Sequence, residues 1–178
     1  NSSSETRFDF DGNGEGTTYK AWDIFAINVN RARYREKLDP GNWELQLAKG
    51  GNTIKLIDDS GATADSSVNA SKRVFNIVSG SIENGVSTIK TTAIAQSATN
   101  GSFGYFYPEL GVIVLNAHAL NQSSLAITVD RTANSLKNNA GQLYAAVQTG
   151  AYFQARREEQ IKSSHYFCRV KSDQYNYS

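Results

Sequence analysis

The chain has 178 residues, about a fifth of them charged, and a formal net charge of +1. That length builds one core of useful size or two small ones. The balanced charge excludes a global field toward nucleic acid or an anionic membrane surface, and no apolar run approaches the ~20 residues of a bilayer-spanning helix.

No signal peptide is visible at the start. Cys168 is the single cysteine, which excludes an internal disulfide and fits a reducing compartment. The chain contains no methionine, and "HYFCRVKSDQYNYS" stops inside what reads as a strand and its turn. The expectation is a single β-rich domain over 1–178, or a fragment of a longer multidomain chain, with an N-terminal hairpin over 5–30.

The first element, "FDFDGNGEGTTYKAW", offers two readings. Asp9, Asp11, Asn13 and Gly14 match the opening of an EF-hand loop. The closing position should be a bidentate Glu, but counting on from Asp9 it is Lys20, a cation where the ion would need an anion. The flanks are aromatic and β-branched, a strand signal. A hairpin tip is therefore favoured over a weak calcium site at Asp9, Asp11 and Asn13.

"TTYKAWDIFAINV" then reads as strand. In "NRARYREKLDPGNW", Arg31, Arg33, Arg35 and Lys37 would share one face of a strand. Read as a helix, Asn30 would cap it and Tyr34 and Leu38 would stack. Asp39-Pro40-Gly41-Asn42 stops either. "NWELQLA" and "TIKLID" alternate around a Gly-Gly turn, and "DSGATADSSVNAS" is a polar loop. "KRVFNIVSGSI" is a strand, and "ENGVSTIKTTAIAQSATNG" has Asn-Gly turns around Thr/Ile-rich strands. Gly111 to Asn116 is the most apolar strand, after a turn at Tyr107-Pro108-Glu109. Residues 121–149 carry the helical signal, with Leu143 and Val147 one turn apart and Gly150 as an exit. Two alternating runs close the chain. The fold class expected is α+β, predominantly antiparallel β with one or two short helices.

Chemistry is sparse. Gly12, Gly14 and Gly16 cluster, but no P-loop or dinucleotide fingerprint is present, nor a nucleophile elbow. His118 and His165 are the only histidines, too few for a zinc set. His165 and Cys168 stand three apart, so on a strand they point to opposite faces. Asp58, Asp59 and Asp65 read first as turn residues, and only secondarily as acid–base or metal groups. The row Arg31, Arg33, Tyr34, Arg35 with Lys37 could track phosphates and stack a base. A solvated face or partner interface is favoured, and Arg156 and Arg157 in "ARREEQIK" read the same way. No cofactor and no catalytic residue is expected. Five Asn-x-Ser/Thr-type sequons arise readily in so Asn/Ser-rich a chain and, without a secretory signal, mean little.

Three stretches carry a resemblance: "INVNRARYREKLDPGNWELQL", "GYFYPELGVIVLNAHAL" and "FQARREEQIKSSHYFCRVKSDQYNYS". Together they resemble large virion structural proteins of contractile-tailed, T4-like bacteriophages, particularly those infecting cyanobacteria, from about residue 22 to the end. The resemblance implies a tail, baseplate or neck component, with a baseplate wedge role favoured. It also implies partners among other virion proteins in a sixfold-symmetric assembly, and location in the virion after assembly in the host cytoplasm. Its motifs are structural and carry no catalytic residue across. Exposed Tyr, Phe and Arg would serve as interface anchors.

Two other classes stay open. One is a carbohydrate- or receptor-binding β-domain, calcium-assisted at Asp9, Asp11 and Asn13, with Trp22, Trp43 and Tyr105 to Tyr107 as an aromatic platform. The other is a hydrolase using Asp58, Asp59 or Glu109. The virion reading expects no enzyme, no membrane contact and no nucleic-acid contact.

Overall fold

A computed structural model describes residues 8–10, 20–21, 23–34, 36–61, 73–90, 102–132, 136–157 and 163–164. Short strands β1 (Phe8–Asp9) and β2 (Lys20–Ala21) pair antiparallel, with Asp9 opposite Lys20, so the hairpin arms are present. Residues 11–19, with Asp11 and Asn13, lie outside the described residues, as do the side chain of Asp9 and the whole of Trp22 and Arg35.

β3 (Ile24–Asn28) leads into a single 3-10 turn, Arg31–Arg33. Asn30 caps that turn by accepting from the Ala32 N–H, so the local capping signal is real but the helix stops after one turn. Tyr34 is already extended, and Leu38 is buried in the core rather than stacked on Tyr34 along a helix. Arg31 and Arg33 therefore sit on one 3-10 turn rather than along a strand face or an extended helix.

β4 (Trp43–Lys49) and β5 (Asn52–Asp58) form the next hairpin. Gly50 and Gly51 both take positive φ (58° and 82°), as a two-residue turn matched to strand twist requires. β6 (Phe75–Glu83) and β7 (Val86–Ile89) repeat the device with Asn84 (φ 52°) and Gly85 (φ 79°). β8 (Gly104–Tyr107) and β9 (Val112–Asn116) follow, then α1 (Ala117–Gln122), α2 (Leu136–Gly150) and β10 (Tyr152–Ala155).

The helical signal over 121–149 is split. Asn116 caps α1 earlier than the sequence pattern indicates, its Oδ1 accepting from His118 and Ala119 N–H, and the chain is non-helical again from Ser123 to Thr132. That linker is buried at Leu125 and Ile127, because the concave face of the sheet needs cover there.

The main sheet runs β10-β4-β5-β6-β8-β9-β3, with β7 continuing β6 on its β8 side, and every pairing is antiparallel. The fold of the described residues is thus mostly antiparallel β, curled into a half-barrel, with two α-helices. Period-two alternation fixes which side chains face inward. Trp43, Leu45 and Leu47 on β4, Leu56 on β5, Phe75 and Ile77 on β6, Phe106 on β8, and Ile113 and Leu115 on β9 form one buried cluster. α1, the linker and α2 fill the concavity, adding Leu120, Leu125, Ile127, Leu143 and Ala146. Phe10 packs on the convex face, 5.0 Å from the Tyr105 ring and beside Val114.

α2 presses its last turn onto β4. A side chain at Gly150 would collide with the Gln46 carbonyl, while Gln46 Nε2 donates to the Gly150 carbonyl at 3.0 Å. Ala151, at φ 49°, reverses the chain, and β10 returns along β4. On the convex side Glu44 is buried: its Oε2 accepts from the Ile82 N–H at 2.8 Å and its Oε1 faces the Lys55 ammonium at 2.9 Å. It thereby caps β6 where β5 has diverged from it.

Candidate functional site

Among the described residues the two ends of the sheet, β3 and β10, are its open edges. Along the order β10-β4-β5-β6-β8-β9-β3 each neighbour reverses direction, so β10 and β3, six steps apart, run the same way. Both border a single cavity of about 1190 Å³.

Its walls are Phe25, Ile27 and Val29 from β3 and its exit, Ile113 from β9, Leu45 from β4, and Phe153 and Ala155 from β10. α2 closes the floor with Ala140, Leu143, Tyr144 and Val147. Polar groups sit at the ends: Asn30 and Arg33 where β3 finishes, Asp23 where it starts. Asn139 also borders the cavity, but its amide is satisfied: it donates to the Asp130 carbonyl at 2.7 Å and accepts from the Asp130 N–H at 3.0 Å. Arg131 holds Asp23 through Nε at 2.8 Å, tying the linker to the start of β3.

Phe153 decides how the cavity is read. It lies opposite Leu45, which lies opposite Leu56, so the three share the concave face. Leu45 is 2% exposed and Phe153 45%. An inward-facing aromatic is therefore open to solvent on the side where, among the described residues, β10 has no further strand. Ile24 and Tyr144 also border this opening and are exposed, so three of the six large apolar side chains left exposed among the described residues gather here. Apolar exposure concentrated in one place marks a contact surface more often than scattered residues do.

The backbone adds to this. Arg156 N–H donates to the Asn42 carbonyl, so by antiparallel alternation the backbone groups of Phe153 and Ala155 point away from β4. Val29 N–H donates to the Gly111 carbonyl, so those of Ile24, Ala26 and Asn28 point away from β9. Among the described residues none of these five finds a backbone partner across the free edge.

No family model, curated protein or solved structure matches the chain.

The residues singled out in the sequence fall into separate places. Arg31 and Arg33 are exposed on the 3-10 turn where β3 ends, and the Arg31 guanidinium lies over the half-buried Tyr34 ring at 4.7 Å. Arg156 and Arg157 are exposed where β10 ends. Because β3 and β10 run the same way, these four arginines gather at one end of the groove. Lys37 is exposed on the same connection as the turn, and Arg35, Asp65, His165 and Cys168 fall outside the described residues.

The acidic pair is structural. Asp58 accepts from Gly41 N–H at 2.8 Å and Ser60 N–H at 3.0 Å. Asp59 accepts from Asn76 N–H at 2.9 Å and its Nδ2 at 2.8 Å. Burial pushes the Asp58 carboxyl above its ordinary value, against the pull of the Ser60 and Gly41 hydrogen bonds. Both side chains are committed to holding loops. Trp43, a platform candidate, is instead fully buried, 5.0 Å from the Phe106 ring. Of the other platform residues, Phe106 is buried and Tyr105 and Tyr107 are half-buried on the convex face. His118 and Glu109 are exposed, and among the described residues no cluster of His, Cys, Asp or Glu forms a metal site.

Sequence reasoning missed the groove. Its walls come from 24–29, 113 and 153–155, stretches that become neighbours only through the sheet order. The available signal was Phe153 itself, an aromatic in an alternating run that no later described strand covers.

Proposed function

We propose that the chain is a structural component of a bacteriophage virion, from the tail or baseplate of a contractile-tailed particle, acting through protein–protein contacts rather than catalysis. The observation that carries this reading is the pair of open strand edges flanking an apolar groove with arginines at one end. Strand edges pair with other polypeptides, and aromatic and Arg side chains are the usual anchors of protein interfaces. The sequence resemblance to phage virion proteins supplies the context. The groove's volume exceeds the ~300–1,000 Å³ of common small-ligand clefts, which favours a polypeptide occupant over a sugar.

The test is quantitative mass spectrometry of gradient-purified particles of the encoding phage, following the tryptic peptide from Val74 to Lys90. Presence at a small multiple of six copies per particle is the expected result. Absence from the particle would overturn the reading.

A further inference from the structure

We infer that the groove between β3 and β10 receives one extended segment of a different virion chain, which inserts antiparallel to both edges and closes the half-barrel. This rests on the virion reading above and specifies the contact.

Three observations converge. The first is direction. β3 and β10 run the same way, so a single strand can be antiparallel to both at once, completing a sheet in which every pairing is antiparallel. Two added strands could not do this. The second is the backbone. Ile24, Ala26 and Asn28 on one side and Phe153 and Ala155 on the other turn their N–H and C=O groups toward the gap. A polypeptide strand is the ligand whose own donors and acceptors alternate to match both rows. The third is polarity. The inserted strand would start where β3 and β10 end. Arg31, Arg33, Lys37, Arg156 and Arg157 are exposed at that end, against Glu36, Asp39 and Glu109, so among the described residues the end is net positive.

The chemistry of the partner follows. Its inward positions, every second residue, are apolar and of medium size, to cover Phe153 and fill the space over Leu143 and Val147. Its N-terminal flank is acidic, facing the arginines. The affinity comes from main-chain hydrogen bonds and the specificity from the alternate side chains.

The experiment is residue-resolved amide hydrogen exchange on the isolated chain and on the intact particle. Ile24, Ala26, Asn28, Phe153 and Ala155 report on the edges. Phe25, Ile27 and Gln154, bonded inside the sheet, are internal references. The expected result is rapid exchange of the five edge amides in the isolated chain and slowing by about 100-fold or more in the particle.

Five amides already slow in the dilute isolated chain would mean that the chain covers its own edges, and slowing that grows with concentration would mean a second copy does. Either overturns the inference. Five amides as fast in the particle as in isolation, with the chain present, overturn it while leaving the virion reading intact. Absence of the chain from the particle removes both. An Ala26→Pro variant supplies a second measure, because an edge strand tolerates proline where the N–H faces outward. It should keep the isolated chain's urea midpoint and lose incorporation into particles. Normal incorporation of the variant would also overturn the inference.

Discussion

Phe153 and Leu45 share a row on the concave face but not an environment, and replacing each by alanine separates an open groove from a closed one. Leu45 is 2% exposed inside the main cluster, so Leu45→Ala removes transfer energy and leaves a cavity. Such changes destabilise by about 2–5 kcal/mol. Phe153 is 45% exposed and borders space that is already open. Its truncation creates no new enclosed void, so only the transfer term remains. Full burial of a large apolar side chain contributes about 1.5–3 kcal/mol, and Phe153 realises a little over half of it, roughly 1–1.5 kcal/mol. Urea unfolding of the isolated chain, followed by circular dichroism at equal m-values, measures both. A Phe153→Ala loss of 3 kcal/mol or more would show that the phenyl ring is fully enclosed in solution, and the open-groove argument would fail.

Two further outcomes test the surrounding fold. Asp58→Asn keeps one acceptor but turns an amide NH2 toward the Gly41 and Ser60 N–H donors, and should cost about 1–3 kcal/mol at neutral pH. Because the folded-state pKa of Asp58 is raised, the folded chain takes up its proton first. The contribution of this group to stability therefore grows as pH falls through the raised value toward the ordinary 3.8. The gap between wild type and Asp58→Asn should widen on that descent, and a gap that narrows in urea titrations at stepped pH would refute the assignment. Ala151 sits just after α2 with φ 49°, its N–H donating to the Val147 carbonyl, a position that favours glycine. Ala151→Gly should raise stability by about 0.5–1 kcal/mol, and a lowered thermal midpoint would contradict that geometry.

What the sequence made legible was local. Gly50-Gly51 and Asn84-Gly85 announce their hairpins because positive φ is a property of the turn residues themselves. Trp43, Leu45 and Leu47 announce a half-buried strand because alternation is written in consecutive positions. The cap at Asn30 was legible for the same reason, whereas the extent of its helix was not, since Leu38 is drawn into a core assembled from distant strands. The helical signal over 121–149 ran through a linker that tertiary burial of Leu125 and Ile127 pulls out of helix. Strand order was beyond reach: nothing near Ile24 states that it pairs with Asn116. The groove, made of edges, inherits that invisibility. The arginines at residues 31, 33, 156 and 157 were visible one by one, but their gathering at one end follows only from the parallel course of β3 and β10.

The register of the edges also sets a timetable for synthesis. β4, β5 and β6 pair with near neighbours, Leu45 with Leu56 and Ile57 with Val78, so this meander can form soon after it is made. Ile24 must wait for Asn116, 92 residues later, and at roughly 5–20 residues per second that is a delay of about 5–20 s. Tyr152 meets Gln46 later still. The nascent chain therefore carries the apolar segment Ile24–Asn28 without its partner strand until Asn116 has been made.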